Sequence, residues 1–94
     1  QKDKSRKRQE AEERNRKYRE RRPLETKLKN IEKRLEKVMA EKAKLDQVLV
    51  DRNMYEESEK AWLLETVTTR KKLETEENNL LAEMERLTIE MERV

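Results

Sequence analysis

Glycine, cysteine, histidine and phenylalanine are absent from this chain of 94 residues, and proline and tryptophan occur once each. Each absence removes a class of chemistry. Without glycine there is no phosphate-cradling loop and no dinucleotide fingerprint, since both need a backbone free of Cβ where the phosphate approaches. Without cysteine and histidine there is no zinc site of the usual ligands, no thiol chemistry and no imidazole to carry protons near neutral pH. Disulfides cannot form, so cysteine usage leaves no mark of a redox compartment. No apolar run approaches the roughly 18 residues of a membrane span and no signal peptide is present, so a soluble protein is expected. The N-terminal Gln in place of Met points to a piece of something longer.

What is present is charge and helix-forming residues. Half of the chain is charged, and Ala, Glu, Lys, Leu and Arg make up 60 of its 94 residues. Its 32% hydrophobic content supplies one seam but not the two-layer core of a globular domain, which draws on about 45–50% apolar residues. Leu24, Leu28, Ile31, Leu35, Val38, Leu45 and Leu49 step by four and three along one helical face, with Lys42 as a polar rung. That spacing is the a/d seam of a coiled coil. Asp51-Arg52-Asn53-Met54-Tyr55 breaks it and Leu63 reopens it. The fold class expected is all-α: a two-helix antiparallel coiled-coil hairpin, preceded by a basic helical or disordered arm.

The arm is residues 1–22, which hold eleven basic and five acidic side chains, whereas residues 23–94 hold fourteen and seventeen. Residues 1–9 have no apolar side chain and are expected to fray. From Glu10 onward, Glu10–Arg14, Glu12–Arg16 and Glu13–Lys17 are i, i+4 pairs in the favourable order, each contributing about 0.2–0.5 kcal/mol to a helix. Pro23 lacks an N–H and its ring opposes the carbonyl of Arg19, so a kink or break is expected at 22–23. The hairpin then occupies 23–94, with a helix over 23–50, a turn at 51–54 and a helix over 55–94. Asn53, with Glu56 three residues later, has the spacing of a capping box for the second helix, and Asp51 competes for that role.

Folding the chain about Met54 sets residue n opposite 108 − n, so that Leu45 meets Leu63, Leu35 meets Leu73, Leu28 meets Leu80 and Leu24 meets Met84. In that register every a position meets a d position, as antiparallel packing requires. Lys42, Val38 and Ile31 then face Thr66, Arg70 and Glu77, and Arg34 and Glu41 lie one rung from Glu77/Glu74 and Arg70. Leu87, Met91 and Val94 reach past the apolar seam to cover Arg21, Lys17 and Arg14. The closure favours a monomeric hairpin over a homodimer.

The arm is the stretch with functional weight. Lys2, Lys4, Arg6, Lys7, Arg8 and Arg16 could neutralise phosphates, and the candidate nucleic-acid-binding set is Arg14, Lys17, Tyr18, Arg19, Arg21 and Arg22, with Tyr18 free to stack on a base. The bland reading of the same residues is a solvated helix satisfied by its own glutamates. The arm lacks the apolar face of a membrane-surface helix. Met54 and Tyr55 at the tip and Trp62 on the flank are candidate partner contacts, with packing over the turn and against the seam as the favoured role. Glu74, Glu76 and Glu77 diverge around the helix axis, so no metal site is expected. No cofactor is expected either. Paired-carboxylate catalysis lacks a pocket, so the chain itself is not expected to be an enzyme.

A Lys/Arg/Glu linker reaching Arg21-Arg22-Pro23-Leu24, a heptad helix, the turn Leu49-Val50-Asp51-Arg52-Asn53-Met54-Tyr55 and a charged return helix resemble the C-terminal coiled-coil extension of ABC-F ATPases. Those proteins carry two ATP-binding cassettes and no membrane domain. The resemblance spans about residues 10–94, and departs from the family where a late Trp is common and this chain has Asn78-Asn79-Leu80. It implies cassettes in cis that hydrolyse ATP, work on the ribosome, a cytoplasmic setting, and an extension that contacts ribosomal RNA, ribosomal protein or DNA. The alternative is a structural coiled-coil segment of a scaffold or cytoskeletal protein, whose seam joins separate chains.

Overall fold

The computed structural model describes residues 2–51 and 57–94. Helix α1 runs Lys2–Asp51, a single 3-10 turn covers Glu57–Glu59, and helix α2 runs Lys60–Arg93. α1 and α2 pack side by side as an all-α, two-helix antiparallel hairpin. The molecule measures 84 × 16 × 13 Å. Fifty residues at 1.5 Å each make α1 about 75 Å long, so this one helix supplies nearly the whole length, and the two thin dimensions are those of a helix pair.

The seam read from the sequence is the buried face. Ile31 and Val38 are buried on α1, and Leu24, Leu28, Leu35, Lys42, Leu45 and Leu49 are each less exposed than the residues beside them on the outer face. On α2 the same spacing holds, with Thr66, Leu73 and Leu87 buried and Leu63, Arg70, Glu77, Leu80, Met84, Met91 and Val94 half-buried. Thr66 can occupy such a position because its hydroxyl donates to the Trp62 carbonyl at 2.8 Å, leaving only its methyl group for the partner helix.

The register differs from 108 − n by one heptad. Arg34 bonds Glu76 (Nε to Oε1, 2.5 Å), Lys42 bonds Glu77 (3.1 Å), and Arg70 bonds Asp46. Under 108 − n, Lys42 and Glu77 would stand eleven residues apart along the axis, about 16 Å, beyond the reach of the two side chains. The next alignment in which a still meets d sets n opposite about 115 − n, and there all three pairs lie within reach. Leu24 then meets Met91, Leu28 meets Leu87, Ile31 meets Met84 and Leu35 meets Leu80. These are four successive apolar layers. The layers nearer the tip, Val38 with Glu77, Lys42 with Leu73 and Leu45 with Arg70, are mixed, and the ion pairs sit among them. Both registers form four wholly apolar layers, so hydrophobicity alone does not choose between them. The ion pairs and the full burial of Leu87, 3% exposed, go with the second.

α1 continues through Pro23, so no break forms at 22–23 and Arg22 stays helical. Proline removes one hydrogen bond, that to the Arg19 carbonyl. Residues 19 and 23 are both exposed, so water can occupy that acceptor. The Thr26 hydroxyl adds a bond of 3.1 Å to the Arg22 carbonyl one turn on. Residues 2–9 are likewise helical rather than frayed. The start of α2 also differs. Its N-cap is Glu59, in αR geometry and without a side-chain cap bond. Asn53 itself and most of the turn at 51–54 lie outside the described residues.

Candidate nucleic-acid interface

With Val94 opposite about Arg21, the first twenty or so residues of α1 extend beyond α2. At 1.5 Å per residue that projection is about 28 Å. All five cations of the candidate set, Arg14, Lys17, Arg19, Arg21 and Arg22, are exposed. The register shift explains this, since Leu87, Met91 and Val94 close on Leu28, Leu24 and Arg21 and do not lie along the basic helix as expected. Tyr18 is 60% exposed.

The glutamates of the arm engage few of its cations. Arg6 pairs with Glu10 and Arg16 with Glu13, each at 3.6 Å. The expected pairs Glu10–Arg14, Glu12–Arg16 and Glu13–Lys17 do not form, because Glu10 turns back to Arg6 and Arg16 finds Glu13 at i−3. Among the described residues Arg14, Lys17, Arg19, Arg21 and Arg22 make no ion pair. Their charge is balanced by solvent ions, the condition from which a polyanion can displace them.

Tyr18 is engaged on one side. Arg22 donates from Nη1 to its hydroxyl at 2.8 Å and lies over its ring, 5.8 Å from the centroid. The pair is a unit in which an aromatic face steadies a guanidinium. Arg22 keeps other N–H donors for an acceptor in front of it.

The remaining candidates are scattered. Trp62 is half-buried beside the seam and has a partner within the chain. Met54 and Tyr55 lie outside the described residues. Glu74, Glu76 and Glu77 each hold a cation of the chain, with Arg70 at 3.7 Å from Glu74, and Arg34 and Lys42 on the other two. Among the described residues no cluster is arranged to hold a metal ion. The depressions on the surface, such as that between Gln9, Glu12, Glu13, Arg16 and Arg19, are open furrows between long side chains. None of these, among the described residues, is an enclosed site. No described helix is long and apolar enough to cross a membrane.

The sequence reading missed the partners that fix the hairpin. In place of Glu41 for Arg70 and Glu77 or Glu74 for Arg34, the acceptors are Asp46 and Glu76. Hydrogen bonds from Arg70 hold the Asp46 carboxyl below its usual range, and those from Arg34 do the same for Glu76, against an opposing push from desolvation. Arg70 and Arg34 are raised in turn, first by the same hydrogen bonds and then by the carboxylate charge. All four groups are therefore fully charged at neutral pH.

No family model, curated protein or solved structure matches this chain.

Proposed function

We propose that this chain is a nucleic-acid-binding hairpin, the C-terminal module of an ABC-F ATPase, working at the ribosome or on DNA through the basic end of α1. The observation that supports this reading most is the projection itself. A helix with eleven basic residues in its first 22 extends past its partner helix with most of its cations unpaired. Such a helix is costly to keep in isolation, since it buries no apolar face and repels itself. A phosphate backbone relieves that repulsion. Binding is electrostatic and largely indifferent to sequence, because phosphate contacts position a protein and base contacts specify.

The test is a salt titration of RNA and DNA binding, read by fluorescence anisotropy. The logarithm of the binding constant falls linearly with the logarithm of salt concentration, by about 0.7–0.9 per phosphate neutralised. Five or more contacts give a steep line. A flat response with both nucleic acids ends this reading.

A second reading, a structural coiled coil that joins chains, draws on the apolar side chains left outside the seam, among them Leu64 at 70%, Leu81 at 46% and Ile89 at 44% exposure. Leu64, Leu81 and the exposed Val67 share one heptad stripe, but Lys71, Glu74 and Asn78 occupy the rungs between them, so no continuous second seam forms.

A further inference from the structure

The arm has two unlike sides. Successive residues of a helix turn by about 100°, so positions three, four and seven apart share a face. Between Lys4 and Arg22, all four acidic residues, Glu10, Glu12, Glu13 and Glu20, fall on one half of the circumference. Both ion pairs of the arm, Arg6–Glu10 and Arg16–Glu13, lie on that half too. Between Lys4 and Arg22 the other half has no acid, and Asp3, at the outer end of the arm, is the one carboxylate on it. Along its middle run the small side chains Ala11 and Asn15, followed by Tyr18 with Arg22 held over it. Its two edges are cationic. Lys7, Arg14 and Arg21 recur every seven residues on one edge, and Arg8 and Arg19 stand on the other. All five are exposed, and among the described residues none is in an ion pair.

We infer that this acid-poor half of the arm seats in the major groove of a B-form DNA duplex, with Lys7, Arg14 and Arg21 on one phosphate wall, and with Arg8 and Arg19, joined by Arg22 reaching out from the middle of the face, on the other. The inference rests on the nucleic-acid reading above and adds the face and the form of the ligand. Two cationic rows flanking a middle without carboxylates match two phosphate strands with a groove between them. A single strand offers one row of phosphates and is held by successive bases stacking on several aromatic side chains, whereas the arm has one, Tyr18. A helix about 10–12 Å across fits a groove about 12 Å wide. The major groove of A-form RNA is too narrow to admit it. The glutamate-bearing half then faces away from the phosphates, where its charge does not oppose binding.

Three variants of equal charge, made in the full chain, test the placement: Lys7→Gln/Arg14→Gln/Arg21→Gln on one edge, Arg8→Gln/Arg19→Gln/Arg22→Gln on the other, and Lys2→Gln/Arg6→Gln/Arg16→Gln on the opposite half. Binding is measured to a 20-bp DNA duplex, a 20-bp RNA duplex and the 20-nucleotide single strand, with helicity checked by circular dichroism. The expected result is a DNA-duplex affinity at least tenfold above that for the other two probes. Each edge variant loses at least tenfold, with the salt slope lowered by about 0.9 per contact removed, and the opposite-half variant stays within threefold. Equal losses in all three variants would overturn the face, leaving diffuse electrostatic binding intact. Equal affinity for RNA duplex or single strand would overturn the groove placement alone. No binding to any probe would overturn both this inference and the function it rests on.

Discussion

A cysteine pair at Leu28 and Leu87 should close into a disulfide on mild oxidation, and a pair at Leu28 and Leu80 should not. The chain has no cysteine of its own, so each double variant reports one distance and nothing else. Residues facing across an antiparallel seam bring their Cα atoms into the range a disulfide bridges, usually 4.4–6.8 Å, and one heptad of offset moves them about 10 Å apart along the axis. Leu28 meets Leu87 when n faces 115 − n and meets Leu80 when n faces 108 − n. The readout is nearly all-or-none. Oxidation of dilute protein followed by non-reducing electrophoresis separates the closed monomer from the open one. Rapid closure of Leu28→Cys/Leu80→Cys, with Leu28→Cys/Leu87→Cys left open, would restore the other register and put Leu87, Met91 and Val94 back over the basic arm.

The second large effect follows from the same alignment. Leu87 is 3% exposed because it packs into a layer with Leu28, the second of four consecutive apolar layers. Leu87→Ala removes that layer and leaves a void, which for buried leucines costs about 2–5 kcal/mol. In a domain of this size that lowers the melting temperature by roughly 8–40 °C. Ile89→Ala, at a position 44% exposed on the outside of the same helix turn, shifts it by no more than a few degrees. A Leu87→Ala variant melting within a few degrees of the parent would show that this end of α2 is not clamped against α1. It would then lie over charged residues, as the 108 − n register has it.

The fold was legible because it rests on one periodic signal. Leucines stepping by four and three name the face they bury, and the break after Val50 names the reversal. Register is a different kind of information. A heptad pattern repeats, so a slip of seven residues returns every a to a d and the hydrophobic pattern cannot detect it. What decides is which long charged side chains meet across the seam. Arg70 reaches Asp46, a residue next to the seam position Leu45 and not on the seam, and nothing in the spacing of apolar residues marks it. Folding about Met54 also presumes a turn centred on the break, whereas the 3-10 turn Glu57–Glu59 and the late start of α2 at Lys60 move the reversal further along the chain. Pro23 misled for a related reason. Its cost in a helix interior is real, but the helix continues, with its freed acceptor open to water. In the arm, net charge was readable by counting residues. The sidedness of that charge depends on the helix continuing unbroken from Lys2, which a frayed arm would not have provided.

One chain doubling back on itself is the claim from which the projecting arm and its exposed cations follow. Thermal unfolding followed by circular dichroism over a hundredfold range of protein concentration addresses it directly. An intramolecular hairpin melts at the same temperature throughout, because its folded and unfolded states contain one chain each. A midpoint that falls with every dilution would mean that the seam joins separate molecules, and would contradict the account.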